Sequence, residues 1–412
     1  KKRIVFFALP KLLSSAFSQS IILLLVIYLD AAEFGSLAIL LSIAQVFIVA
    51  LVAWHSGTVL NHGQKFFART NSLYTVLSFR FFCIFLGAIV SYFAFLFGAG
   101  DWINSFSGMK NGTYILLLWV VSETIFEFTD KILVVYGKLI VNEISILLLK
   151  LCSFLFVATN FKDIESYFEI YLILHVSFAI FVISVLFFKD RPKIEKINLK
   201  KYSELIRFSL LAAVTSFSIL LANQAYNLIL RINSIDMSDI GAHSLAFKAF
   251  MSLTIMTYFV RALYPRLIFR SSGKHRISNL RKVLKIYLPF YILITLAGYM
   301  LVSLLVYILI NLSLGSGYEK TMFFILLYGP AFILFQRAQF LAVVLNNSKY
   351  YRKENLAYII MSVFSVLANI LFVKIFGTYG IVLGTTLAFL LFNFLIMFSF
   401  KPRFFLSVRN WD

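Results

Sequence analysis

Two helical-spacing stripes of polar side chains are the residues in this chain best placed to do chemistry. Glu123, Glu127 and Lys131 recur at i, i+4 and i+8, as do Asn223, Asn227 and Arg231, so each set falls on one face of a helix. Glu127 and Lys131 are spaced to pair within their own helix, which leaves Glu123 without a local partner. An amide and guanidinium stripe suits phosphate or sugar hydroxyls, and it suits ordinary hydrogen bonding between helices equally well. Further isolated cations stand in long apolar surroundings: Lys11 just after Pro10, then Lys150, Lys248, Arg261 and Arg337.

The elements that must carry these groups are membrane spans. Of the 412 residues 61% are hydrophobic and only 14% charged, far from the near-half and quarter of a soluble globule. Apolar runs long enough to cross about 30 Å of hydrocarbon predict twelve helices, roughly 4–29, 34–60, 73–97, 113–136, 142–160, 166–188, 204–231, 240–265, 283–311, 319–346, 355–373 and 378–400. The fold class expected is therefore an all-α polytopic membrane protein. The runs do not alternate, which excludes a barrel. Cys83 and Cys152 sit inside apolar runs, and neither a disulfide nor a cysteine metal site is expected.

Ionisable groups inside a bilayer cost a few kcal/mol each, so each invites a functional reading. Seven basic residues, Lys11, Lys131, Lys150, Arg231, Lys248, Arg261 and Arg337, are read as lying within spans, against three acids, Glu123, Glu127 and Asp130. A surplus of four positive charges predicts an interior receptive to anions. Arg231, Arg261 and Lys131 lie near helix ends, where long side chains reach the interface. Lys150, Lys248 and Arg337 lie nearer mid-span. Glu123, the most central acid, is the candidate for a coupled proton or cation. No HExxH, GxxxxGK[ST] or GxSxG pattern occurs, so neither metal chemistry, ATP hydrolysis nor a serine nucleophile is expected.

Basic residues also set the orientation. Most of the 38 Lys and Arg fall in alternate loops and at the termini, above all in 189–207 and 266–285. The other loops hold Lys110, Lys162, Lys320 and Lys374, which predicts that both termini are cytoplasmic. This accounts for the net charge of +20 through topology and anionic membrane lipid, so no nucleic-acid partner is expected. The longest outward loop expected is 98–112.

The chain is duplicated. LDAAEFG (29–35) is matched by IDMSDIG (235–241), with Asp30, Glu33 and Gly35 answering Asp236, Asp239 and Gly241 at a constant offset. Both are expected to be short outward turns in which glycine permits the turn and the acids complement a helix dipole. Six spans per half make the repeat parallel, with a pseudo-two-fold axis along the membrane normal and a central cleft. The organisation read is an N-lobe, 1–188, a cytoplasmic linker, 189–203, and a C-lobe, 204–412.

The stretch 202–250, beginning YSELIRFSLLAAVTSFSILLANQ, resembles the start of the second half of bacterial O-antigen and polysaccharide flippases, members of the multidrug/oligosaccharidyl-lipid/polysaccharide (MOP) exporter superfamily. FALPKLLSS (7–15), LDAAEFGSLAILLS (29–42) and KIFGTYGIVLGTTLAFLL (374–391) are similar to other parts of that family in the same order. The resemblance implies a flippase of the bacterial cytoplasmic membrane moving an undecaprenyl-diphosphate-linked oligosaccharide, with no enzymatic activity and no cofactor. It implies a proton or sodium gradient as the drive and other glycan-assembly membrane proteins as neighbours. A multidrug antiporter of the same superfamily is the alternative, and a membrane glycan polymerase the enzymatic one. The candidate substrate residues are Lys11, Lys150, Asn223, Asn227, Arg231, Lys248, Arg261 and Arg337. The chain departs from the family where members often carry an Asp-Arg pair late in the first helix of each lobe: it has Ile21-Ile22 and Tyr226-Asn227. It also has His55 where an acid often precedes glycine in the second helix.

Overall fold

A computed structural model describes residues 2–56, 63, 74–189, 200–254, 283–312, 317–346 and 351–399, and the described part is helical throughout apart from short turns. The helices are α1 (Lys2–Tyr28), α2 (Ala31–Ile48), α3 (Tyr74–Ala94), α4 (Gly100–Ser107), α5 (Gly112–Val135), α6 (Leu139–Asn160) and α7 (Ile164–Lys189). They continue with α8 (Lys200–Ile232), α9 (Met237–Met251), α10 (Leu288–Leu312), α11 (Glu319–Asn346), α12 (Tyr351–Phe376) and α13 (Thr378–Ser399). Over the described residues, each of the twelve expected spans falls on a helix. Nine helical spans among the described residues are long and apolar enough to cross a membrane. The chain is a multi-pass, all-α membrane protein.

Where no water is available, helical hydroxyls must be satisfied by the helix itself. Ser42, Ser122, Ser153 and Ser362 each donate to the carbonyl four residues back, at 2.7–2.9 Å. The same logic governs helix starts. Asp163 accepts from the Ser166 N–H (2.7 Å) at the start of α7, and this bond holds its carboxyl below the usual carboxylate range.

Backbone packing divides the chain into two compact units, one of residues 1–25 and 36–220, the other of 26–35 and 221–412. In the first, α2 ends in a π-turn, Val49–Ala53, which carries the helix on to Trp54, His55 and Ser56. The stretch 98–112, expected to be a loop, is mostly helix. Gly98 (φ 88°) breaks away from α3, α4 follows, and Gly108 (φ 74°) closes it, its N–H donating to the Asn104 carbonyl.

In the second unit the duplicated motifs meet. Gly35 and Gly241 lie inside α2 and α9, not in turns, and neither has positive φ. A Cβ on Gly35 would sit 2.1 Å from the Met237 carbonyl oxygen, and one on Gly241 would sit 1.8 Å from that of Ala31. The expected turn role is thus corrected: glycine is needed because two backbones touch there. The acids have also diverged. Asp30 and Glu33 exchange side-chain bonds with each other's backbone N–H groups (2.8 and 3.2 Å), a reciprocal helix cap. Asp239 instead accepts from Lys320 (2.7 Å) and from Thr378 (3.3 Å). Tyr318 closes this end, donating to the Leu29 and Asp30 carbonyls (both 3.1 Å); burial and those nearby acids push its phenol up. Glycine also shapes the last hairpin, where a Cβ on Gly380 would sit 2.2 Å from the Phe372 carbonyl oxygen.

Candidate functional site: the buried charges of the two units

In the first unit, α5 faces α7 and α6 with its acidic stripe, and the stripe resolves into two clusters. At Glu123 the partners come from far along the chain. Lys150 Nζ donates to Tyr171 Oη (2.8 Å), which donates to Glu123 Oε1 (2.7 Å). The Lys150 ammonium also lies over the rings of Phe126 (5.4 Å) and Tyr171 (5.1 Å). Trp119 stacks on Tyr171, with centroids 5.1 Å apart and planes at 8°. The His175 ring bonds the Tyr171 carbonyl through Nδ1 (2.6 Å).

Two turns further along α5, Lys131 bonds Asp130 and lies 3.5 Å from Glu127, so the internal pair expected from the spacing forms. Asn142 of α6 donates to Asp130 Oδ1 (2.6 Å). Arg80 completes this cluster. It is 0% exposed, donates through Nη2 to the Glu127 carbonyl (2.7 Å) and reaches Ser56 Oγ (3.5 Å), with its guanidinium 5.4 Å from the Phe128 ring centre. Ser56 in turn donates to Glu127 Oε2 (3.3 Å).

Arg80 and Glu143 were absent from the intramembrane count. Both are buried in spans, and adding one base and one acid leaves the surplus unchanged. The signal for Arg80 was available: one arginine, TVLSFRFFCIF, well inside a long apolar run.

The second unit handles its charges differently. Asn227 is buried at the middle of the α8 stripe and accepts from Ser244 Oγ of α9 (2.7 Å), so there the stripe joins helices. Arg231 is half-buried in the last turn of α8, where its charge complements the helix dipole. The side chains of Asn223 and Lys11 lie outside the described residues, as does Arg261 altogether.

From Ile240 to Phe250 every residue of α9 is buried except Lys248, which is half-buried. Its Nζ sits 5.3 Å from the centre of the Phe34 ring. Beside it His243 Nε2 bonds Tyr328 Oη (2.7 Å) among the rings of Tyr226, Phe247 and Phe324, a packed histidine rather than a ligand. Arg337 lies half-buried on α11, on the same helical stripe as Phe323, Leu326, Pro330 and Ile333, none of which is buried. Among the described residues neither Lys248 nor Arg337 has an acid within ion-pair distance, and no group of acids, histidines and cysteines could hold a metal.

The structure thus brings Glu123 together with Lys150, and Asn227 with Ser244, and among the described residues it leaves Lys248 and Arg337 without a paired acid.

No protein-family model matches the chain, and no curated protein matches it in sequence. Solved structures do. The inward-facing conformation of a multidrug-resistance MATE-family transporter of the MOP superfamily is similar with a TM-score of 0.71 at 11% identity, over 97% of this chain and 96% of that one. The lipid II flippase MurJ in an inward closed conformation gives 0.62 at 15%, over 98% and 90%. A MOP-superfamily transporter from Pyrococcus furiosus, described as having a binding pocket of reverse polarity that suggests a different function, gives 0.61 at 13%, over 96% and 95%. Identities this low speak to architecture alone, and across nearly its whole length the chain has the fold of the MOP-superfamily transporters.

Proposed function

We propose that the chain is a flippase that moves an anionic lipid-linked oligosaccharide, of the undecaprenyl-diphosphate class, across the bacterial cytoplasmic membrane by alternating access. The observation that carries this reading is that neither Lys248 nor Arg337, both in spans of the second unit, has an acid within ion-pair distance among the described residues. A half-buried cation within a span gains from a partner anion, and a diphosphate headgroup supplies one. Asn, Gln and Tyr side chains and water would meet the sugars, while the prenyl tail remains in lipid. MurJ, whose fold the chain shares, is a lipid II flippase, which supports the substrate class. The excess of Lys and Arg in alternate loops supports cytoplasmic termini, and in this reading transport runs from the cytoplasmic to the outer leaflet, with membrane lipids and other glycan-assembly membrane proteins as neighbours.

Glu123 is the acid through which a proton or sodium gradient would act. Glu123→Gln is expected to remove gradient dependence and leave substrate binding nearly intact.

One alternative has an observation in its favour: MATE transporters share the fold, so a cation-coupled multidrug antiporter is the second reading. A cationic drug, however, needs an acid, and Glu127 and Asp130 are engaged by Lys131, Glu123 by the Lys150–Tyr171 chain. A glycan polymerase is disfavoured because the 98–112 stretch is mostly helix and offers little loop for catalytic groups. Reconstitution in vesicles separates the three. Appearance of a fluorescent lipid-linked glycan in the opposite leaflet is expected. Uptake of a cationic dye instead, or elongation of glycan chains, would replace this reading.

A further inference from the structure

The ammonium of Lys150 and the carboxylate of Glu123 are separated by one hydroxyl, that of Tyr171, in an unbroken donor sequence of 2.8 and 2.7 Å. The described groups around them are aromatic or neutral: the Phe126 ring under the ammonium, Trp119 stacked on Tyr171, Tyr167 against Tyr171 (5.8 Å), and His175 bonded to the Tyr171 carbonyl. Glu127, the next acid along α5, is occupied by Lys131 and Ser56. Glu123 therefore has a counter-charge of its own, fixed to the chain.

We propose that Lys150 is a tethered cation that fills at Glu123 the place a free sodium ion would take, so that a proton, not sodium, is the ion this site exchanges. A sodium ion added while Lys150 is present would bring a second positive charge to one carboxylate in a low-dielectric interior, where like charges repel strongly. A proton taken up from solution bonds covalently to Glu123 Oε1, so the added charge is absorbed into a neutral carboxylic acid, no second free cation faces the Lys150 ammonium, and release of that proton restores the pair. Within the pair a proton can also shift from Lys150 Nζ to Tyr171 Oη as the Tyr171 proton passes to Glu123 Oε1. That shift leaves an amine, a phenol and a carboxylic acid, with the same atoms and no net charge. Only the exchange clause rests on Glu123 being the coupling acid; the tethered-cation clause stands on the geometry.

The test uses the purified full-length chain without any glycan, so its outcome is independent of the flippase reading. Thermal unfolding and 22Na+ binding are followed in sodium chloride against choline chloride at equal ionic strength. The parental protein is expected to show no sodium-specific response. Lys150→Ala is expected to gain saturable sodium binding at least about tenfold tighter than the parent's, with sodium-specific stabilisation. The double variant Lys150→Ala/Glu123→Gln is expected to lose both. Lys150→Gln, which keeps a donor toward Tyr171, serves as the second variant should Lys150→Ala fold poorly, and recovery of either variant by sodium or methylammonium alone also supports the proposal. Sodium binding to the parent that Glu123→Gln removes would overturn it. So would folded Lys150→Ala or Lys150→Gln protein that ignores sodium, or a Lys150→Ala that neither cation recovers while Lys150→Gln is folded and silent.

Discussion

Lys150 and Lys248 are the same residue type, Lys150 in the middle of α6 and Lys248 in the last turn of α9, and their surroundings differ. Lys150 is hydrogen-bonded to Tyr171 and through it to Glu123, whereas Lys248 rests on the face of Phe34 with no acid in reach among the described residues. A cation–π contact contributes only about 0.5–2 kcal/mol, less than the effective cost of desolvating an ion, which runs to several. Lys150 can thus be explained by the folded chain alone. The described residues give Lys248 no such partner, and the proposed anionic headgroup would supply one.

The largest effect expected from this contrast is on stability. Lys150→Met should strand Glu123 and destabilise the first unit by about 3–5 kcal/mol, whereas Lys248→Met should be neutral or mildly stabilising. Chemical unfolding of the two variants side by side checks this, and equal losses would erase the distinction between the lysines. Next in size, Gly241→Ala forces a Cβ to within 1.8 Å of the Ala31 carbonyl oxygen unless the helices part, and should cost about 1–3 kcal/mol through backbone displacement. Thermal unfolding reads it; an unchanged midpoint would mean that α2 and α9 do not touch there. Smallest is Ser244→Ala, which removes the donor to buried Asn227 and should cost about 1 kcal/mol. If that variant leaves stability intact but weakens glycan binding, Asn227 belongs with the substrate rather than with the packing.

Much of the architecture could be read from sequence because lipid imposes a simple rule: every spanning segment must be a continuous apolar helix. The runs therefore marked all twelve spans, and even the Glu127–Lys131 pair followed from helical spacing. What escaped was non-local. Glu123 seemed unpartnered because its partner Tyr171 is 48 residues away, on a helix whose approach no periodicity encodes. The glycines of the repeated motif were assigned to turns because glycine's two uses, positive φ and close approach, leave the same letter in the sequence. The 98–112 stretch looked like loop because α4 is too short for its period to stand out. Of the candidate site, the basic surplus was visible, but not its division into a paired set in the first unit and Lys248 with Arg337 in the second.

Lys248 and Arg337 are proposed to bind the anionic headgroup of the substrate. The direct measurement is the affinity of the purified protein for a diphosphate-linked prenyl glycan, taken together with folded yield, for Lys248→Ala and Arg337→Ala. A charge-assisted hydrogen bond of about 1.5–3 kcal/mol lost from each should weaken binding by roughly ten- to a hundredfold at normal yield. Well-folded variants that bind and export the glycan as the parent does would contradict the account.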